Sequence, residues 1–199
     1  MKRTLAVFAA VAMLTASALA APVIGQPAPA FTGVTADGGT VDLAAYAGKT
    51  VVLEWTNNGC PYVKKHYGAG NMQQTQAAAA ADGVVWLTII SSAEGKQGYA
   101  TPDEAKAIAA AAKAAPAAIV LDASGEIGRA YDARTTPHMF VIDGAGTLVY
   151  AGAIDDKPTA DAADIPGATN YVLAALEDVK NGRPVATPES EPYGCSVKY

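Results

Sequence analysis

Val51-Val52-Leu53-Glu54-Trp55-Thr56-Asn57-Asn58-Gly59-Cys60-Pro61-Tyr62-Val63-Lys64-Lys65-His66 is the stretch that decides the fold. Its first five residues are apolar apart from one carboxylate and open on two β-branched valines, and an Asn/Gly turn bounds them. They read as a buried strand. Pro61 suits the first position of a helix, where a missing N–H costs nothing. Cys60 therefore stands at a helix N-terminus, where free backbone N–H groups and the helix dipole favour thiolate over thiol. Thiolate is the reactive form, so the pattern points to redox or nucleophilic chemistry.

Working outward, residues 1–20 carry Lys2 and Arg3, an apolar stretch from Leu5 to about Leu14, and Ala18-Leu19-Ala20 as a small-residue cleavage site. The stretch is short for a membrane span and reads as a secretory signal peptide. The expected division is a signal peptide over 1–20, a domain over 21–182 and a C-terminal tail over 183–199. Without Lys2 and Arg3 the 14 basic residues become 12 against 19 acidic ones, and the formal charge moves from −5 to −7. An acidic chain with no basic cluster is a poor nucleic-acid binder. No membrane contact is expected after cleavage, and an exported, periplasmic or secreted location follows. The two cysteines are Cys60 and Cys195. In an oxidising compartment they can form a structural disulfide that ties the tail to the body.

The rest of the chain alternates strand and helix signals. A hairpin is predicted from Phe31–Ala36 against Thr40–Leu43 around Asp37-Gly38-Gly39, with a helical turn at Ala44–Ala47. Pro61 to about Ala81 is helical with a break at Gly68-Ala69-Gly70, and Val84–Ile90 is a second buried strand. Thr101-Pro102-Asp103-Glu104 is a capping box that opens a helix to about Ala115. Ala118–Leu121 is a strand, and Gly125–Asp132 a short helix or turn. Met139–Asp143 and Thr147–Ala151 form a hairpin around Gly144-Ala145-Gly146. After an acidic loop, Asn170–Asn181 is the last helix, and the tail looks mobile. Such an order implies an α/β fold, a central mixed sheet flanked by helices with an N-terminal β-hairpin extension.

The segment around Cys60 resembles the active-site segment of thioredoxin-fold proteins, with Val63 in place of their second cysteine. Tyr131-Asp132-Ala133-Arg134-Thr135-Thr136-Pro137-His138-Met139-Phe140 resembles that family's cis-proline segment. Val23-Ile24-Gly25-Gln26-Pro27-Ala28-Pro29-Ala30-Phe31 is similar to the opening of redoxin domains of the AhpC/TSA (alkyl hydroperoxide reductase / thiol-specific antioxidant) superfamily. Exported peroxiredoxin-like proteins also resemble the chain at Asn57–Pro61, Ser91–Gly98, Thr136–His138, Gly152–Asp156 and Gly194–Tyr199.

The resemblance implies a thioredoxin-like fold and a thiol peroxidase or thiol-disulfide oxidoreductase with Cys60 as nucleophile. It implies Thr136 and a cis Pro137 beside the sulfur, with Thr136 presenting backbone close to Cys60 for pairing with an extended substrate segment. Arg134 is the candidate for the arginine that peroxiredoxins keep near the thiolate. Cys195 is implied as the resolving thiol. The substrates implied are a small peroxide or a protein disulfide, with an external thiol as electron donor. The chain departs from the peroxiredoxin pattern at Asn57, where a Thr or Ser is usual, and from the dithiol pattern at Val63.

Other readings stay open. One is a non-enzymatic binding module stapled by Cys60 and Cys195; another is a copper-binding thioredoxin-like protein using His66 or His138. Copper-delivery relatives carry paired cysteines, and this chain has one at the strand end, so no metal is assigned. Lys64, four residues after Cys60, either lowers its pKa or belongs to a solvated face. Glu54 is a proton-relay candidate or a carboxylate facing polar neighbours. No phosphate loop or dinucleotide fingerprint appears, and no cofactor is expected.

Overall fold

The computed structural model describes residues 21–199, and the signal-peptide expectation for residues 1–20 lies outside them. Among these described residues, nine strands and five α-helices follow in chain order. A hairpin β1 (Thr32–Thr35) and β2 (Thr40–Asp42) leads through a 3-10 turn into β3 (Val51–Trp55), α1 (Pro61–Gly68) and α2 (Asn71–Ala81). Next come β4 (Val85–Ile90), α3 (Pro102–Ala111), β5 (Ala118–Leu121) and α4 (Glu126–Ala130). Then follow β6 (Thr135–Thr136), β7 (His138–Ile142), β8 (Leu148–Gly152), α5 (Tyr171–Lys180) and β9 (Cys195–Ser196).

Seven strands form one sheet in the order β2-β1-β5-β4-β3-β7-β8. The β5-β4-β3 centre is parallel, and β7, β8 and the N-terminal hairpin run antiparallel at the two sides. This is the thioredoxin-like α/β fold, with the hairpin as an added edge. The central strands are uniformly buried, as strands covered on both faces must be. One face packs Leu53, Trp55, Leu87, Ile89, Tyr131 and Phe140 together. Trp55 lies 5.1 Å from Phe140 and 5.4 Å from Tyr131 between ring centroids. The other face packs Val52, Met72, Met139, Val141, Tyr150 and Val172 against α2 and α5. Each fully buried side chain of this size contributes about 1.5–3 kcal/mol.

Local chemistry explains the element ends. The Thr101 hydroxyl accepts from the Glu104 amide and the Glu104 carboxylate accepts from the Thr101 amide, so the capping box is formed. Two differences from the sequence reading have tertiary causes. Helix α3 stops at Ala111 and not near Ala115, because α2 takes over its last backbone groups. Gln73 Nε2 donates to the Ala112 carbonyl at 2.6 Å, and Gln76 Oε1 accepts from the Ala115 amide at 2.9 Å. The tail, expected to be mobile, is stitched down. Residues 188–190 join the β8 edge through Ala151, and β9 pairs antiparallel with β6.

Candidate active site

Cys60 lies just past the C-terminal end of β3 and caps α1. The loop before it is built by Asn57. Its Oδ1 accepts from the Gly59 amide at 2.8 Å, its Nδ2 donates to the Gln97 carbonyl at 3.2 Å, and its own carbonyl accepts from the Cys60 amide at 3.0 Å. Asn57 is 1% exposed, and both ends of its amide are occupied in shaping this turn. That is the structural role of the residue at the position where peroxiredoxins carry Thr or Ser.

The Cys60 thiol is 0% exposed and donates to the Thr136 carbonyl at 3.0 Å. The Thr136–Pro137 peptide is cis. Residue Thr136 in turn pairs with Cys195 across β6 and β9, and its hydroxyl donates to the Cys195 carbonyl at 3.4 Å. Three of the sequence-derived residues, Cys60, Thr136 and Cys195, thus meet at one point, with Pro137 buried beside them. Both cysteines are free thiols.

The pair is electrically lopsided. Burial alone would raise the Cys60 pKa, but the Cys195 thiol, the Val63 and Cys195 amides and the Thr136 hydroxyl outweigh it, and the net shift is downward. The Val63 amide acts from the first turn of α1 without closing a full cap hydrogen bond. The Thr136 carbonyl opposes this by accepting from the neutral thiol. For Cys195, burial, the hydrogen bond to Cys60 and the charge of Cys60 push the pKa up to about 11, with Lys198 opposing. Cys60 is therefore the more acidic of the two sulfurs.

The arrangement depends on Gly194. Its φ is +141°, and a Cβ there would lie 2.1 Å from the Thr136 carbonyl oxygen. A side chain would lift the tail off β6. Tyr193 anchors the other side. Its hydroxyl donates to Asp155 Oδ1 and pairs with His66 Nε2 at 3.1 Å, while Asn71 Nδ2 donates to His66 Nδ1 at 2.8 Å. His66 is fully buried and neutral. Burial pushes its pKa down to about 4, partly offset by Asp155, with Lys65 adding to the shift.

The remaining sequence candidates lie elsewhere. The Arg134 guanidinium reaches Asp132 at 3.9 Å and Glu191 at 3.7 Å and is half exposed. Lys64 is exposed, on a solvated helix face. Glu54 is buried in a nest of donors: Tyr67 at 2.9 Å, Trp86 at 2.9 Å, Thr88 at 3.2 Å and Gln76 at 3.3 Å. Burial raises its pKa against those four bonds. Its polar neighbours fully account for it. His138 sits on β7, where its Nδ1 accepts from the Arg134 amide at 3.3 Å, apart from the His66 nest. Among the described residues, no three His, Cys, Asp or Glu side chains gather as a metal site would require, and no helix is long and apolar enough to cross a membrane. Sequence reasoning missed Asn57, Tyr193 and Gly194 as builders of the site. The signals available were the Asn/Gly turn before Cys60 and Gly194 beside Cys195.

Comparison with known proteins agrees with the fold. The Redoxin family model matches residues 24–171. An uncharacterized conserved protein from Geobacillus kaustophilus is 26% identical over 89% of this chain and 92% of its own, with a TM-score of 0.74. A hypothetical protein from Sinorhizobium meliloti 1021 is 24% identical over 90% and 96%, also at 0.74, and shares the fold. The thioredoxin domain of a thiol-disulfide oxidoreductase from Bacteroides vulgatus shares it at 23% identity over 65% and 87%, with a TM-score of 0.52. No curated protein matches the sequence.

Proposed function

The chain belongs to the Redoxin family, and from that premise we propose that it is an exported thiol oxidoreductase that cycles between a Cys60/Cys195 dithiol and a Cys60–Cys195 disulfide. One observation carries the reading: two free thiols are brought to one residue, Thr136, whose carbonyl accepts from the Cys60 thiol and which pairs with Cys195 across β6 and β9. The leader-like residues 1–20 support export to the periplasm or beyond.

With a peroxide ROOH as oxidant, the Cys60 thiolate attacks the terminal oxygen. The O–O bond breaks, the alkoxide takes a proton and leaves as ROH, and Cys60 becomes a sulfenic acid. Cys195 sulfur then attacks the Cys60 sulfur, releasing water and forming the disulfide. The second step is prepared by the first. Part of the Cys195 shift comes from the Cys60 charge, and oxidation removes that charge. Cys195 therefore becomes easier to ionise when its attack is needed. Two external thiols, or one dithiol, reduce the disulfide by exchange, leave as their own disulfide and close the cycle. Thr136 and Pro137 hold the backbone beside the sulfur, and Arg134 is placed on the same segment to pair with the tail through Glu191.

The test is stopped-flow oxidation of the reduced protein by hydrogen peroxide, with mass spectrometry of the product. A water-releasing sulfenate followed by an intramolecular disulfide is expected, and Cys60→Ser abolishes both. Cys195→Ala should raise the Cys60 pKa, because the leading donor to its thiolate is gone. A disulfide with a potential below about −300 mV would identify a structural staple in place of a cycling centre.

A further inference from the structure

We infer that residues Tyr193–Tyr199 are a built-in specificity element, occupying the polypeptide-binding edge beside Cys60, so that the seated tail admits small oxidants and excludes extended protein substrates. The inference rests on Cys60 being the attacking thiol, as proposed above. An extended peptide binds a sheet edge through unpaired backbone N–H and C=O groups. Beside the Cys60 sulfur that edge is Thr135–Thr136, and it is already paired: Thr135 faces Ser196 and Thr136 faces Cys195. The tail takes the place an incoming strand would need.

Bonds on both sides of the pairing hold the tail there. Downstream, the Val197 amide donates to the Arg134 carbonyl at 3.0 Å, and the Lys198 carbonyl accepts from the Ala93 amide at 2.8 Å. The Tyr199 hydroxyl donates to the Ala133 carbonyl at 2.7 Å, and the Arg129 guanidinium lies 4.6 Å from its ring centroid. Upstream, Tyr193 is half-buried against His66 and Asp155, and its ring packs on Tyr62 at 5.8 Å. Gly194 lets the backbone touch down between these anchors.

Size then separates the substrates. A polypeptide needs several residues of free edge, which requires the anchors on one side to release together. A molecule of a few atoms needs only a local opening, and local openings are far more frequent than cooperative ones. On the far side of the Cys60 loop, a cleft of about 160 Å³ is lined by Asn57, Asn58, Val63 and Lys64.

The experiment uses full-length chains in which Cys60 is the sole thiol: Cys195→Ser, Cys195→Ser with Gly194→Val, and Cys195→Ser with Tyr193→Ala. Each is given hydrogen peroxide, and separately an extended peptide whose cysteine is joined to 5-thio-2-nitrobenzoate. In the second reaction the Cys60 thiolate attacks the peptide sulfur, forms the Cys60–peptide disulfide and expels the coloured nitrobenzoate thiolate. Releasing the tail should accelerate the peptide reaction by about tenfold or more and the peroxide reaction by less than about threefold. Equal acceleration of both probes, or none for the peptide, would overturn the role given to the tail while leaving Cys60 as a reactive thiol. A Cys60 inert to both probes in all three proteins would overturn the functional reading, and the inference with it. Tyr193→Ala keeps the question answerable if Gly194→Val does not fold.

Discussion

The Cys60 region and the Cys195 region place one sulfur each at the same point by different means. Around Cys60 the partners are neighbours in the chain: Asn57 shapes the turn, Pro61 starts the helix, and the Val63 amide faces the sulfur. Around Cys195 they come from far away. Tyr193 bonds His66, 127 positions earlier, and Tyr199 bonds Ala133, 66 positions earlier. The difference separates position from acidity. The local region sets the sulfur at the helix start with one amide donor, and the distant one supplies the leading donor that lowers its pKa. Neither alone gives the lopsided pair.

The most severe way to break this is Gly194→Val. At φ +141° with the Thr136 carbonyl in the way, a branched side chain forces β9 off β6. Peroxide-treated protein should then lose nearly all intramolecular disulfide by mass spectrometry under non-reducing conditions, while its far-ultraviolet circular dichroism stays unchanged.

Acid sharpens the comparison next. His66 has a folded pKa of about 4 against 6.5 unfolded, so the fold holds it neutral. Its contribution is complete above pH 6.5 and is lost as pH falls through 4, in all about 3 kcal/mol at 1.36 kcal/mol per unit. The groups facing the ring are Asn71, Tyr193, Asp155 and Lys65. Urea titrations from pH 7 to pH 4 should show this fall, and His66→Gln should flatten it.

A gentler cut is Tyr193→Phe, which keeps the ring and removes the hydroxyl. Asp155, whose Oδ2 is buried without a partner, then loses a donor on Oδ1 as well. A cost of about 1–3 kcal/mol is expected. Faster hydrogen exchange at the Val197 amide should accompany it, since that bond lies downstream of the lost anchor. The smallest effect belongs to Arg134→Ala. Its partners are exposed acids at 3.7 and 3.9 Å, so stability should move by less than about 0.5 kcal/mol. The Val197 amide keeps its bond to the residue 134 carbonyl, and the disulfide yield should hold. A large loss of peroxide rate in this variant would place the guanidinium in the chemistry.

What was legible in the sequence follows the same division. Val51–Trp55, Pro61, the capping box at Thr101 and both hairpins are local signals, and they appear where the residues put them. The end of α3 was not legible, because Gln73 and Gln76 of another helix decide it. The tail was opaque for a stronger reason. Its three prolines and two-residue strand carry no periodicity, and its order comes from an edge formed 59 positions earlier. The cis-proline segment was readable as a motif, but nothing in it announces that the chain's own end is its partner.

The pairing of β9 with β6 also has a consequence in time. Cys60 and the β6 edge precede Cys195 in the chain, and the seven-stranded sheet does not use β9. Until the tail seats, Cys60 lacks both its cover and its leading donor, and the neighbouring strand edge is open. A chain that has lost β9 should keep the sheet and expose an unpartnered thiol.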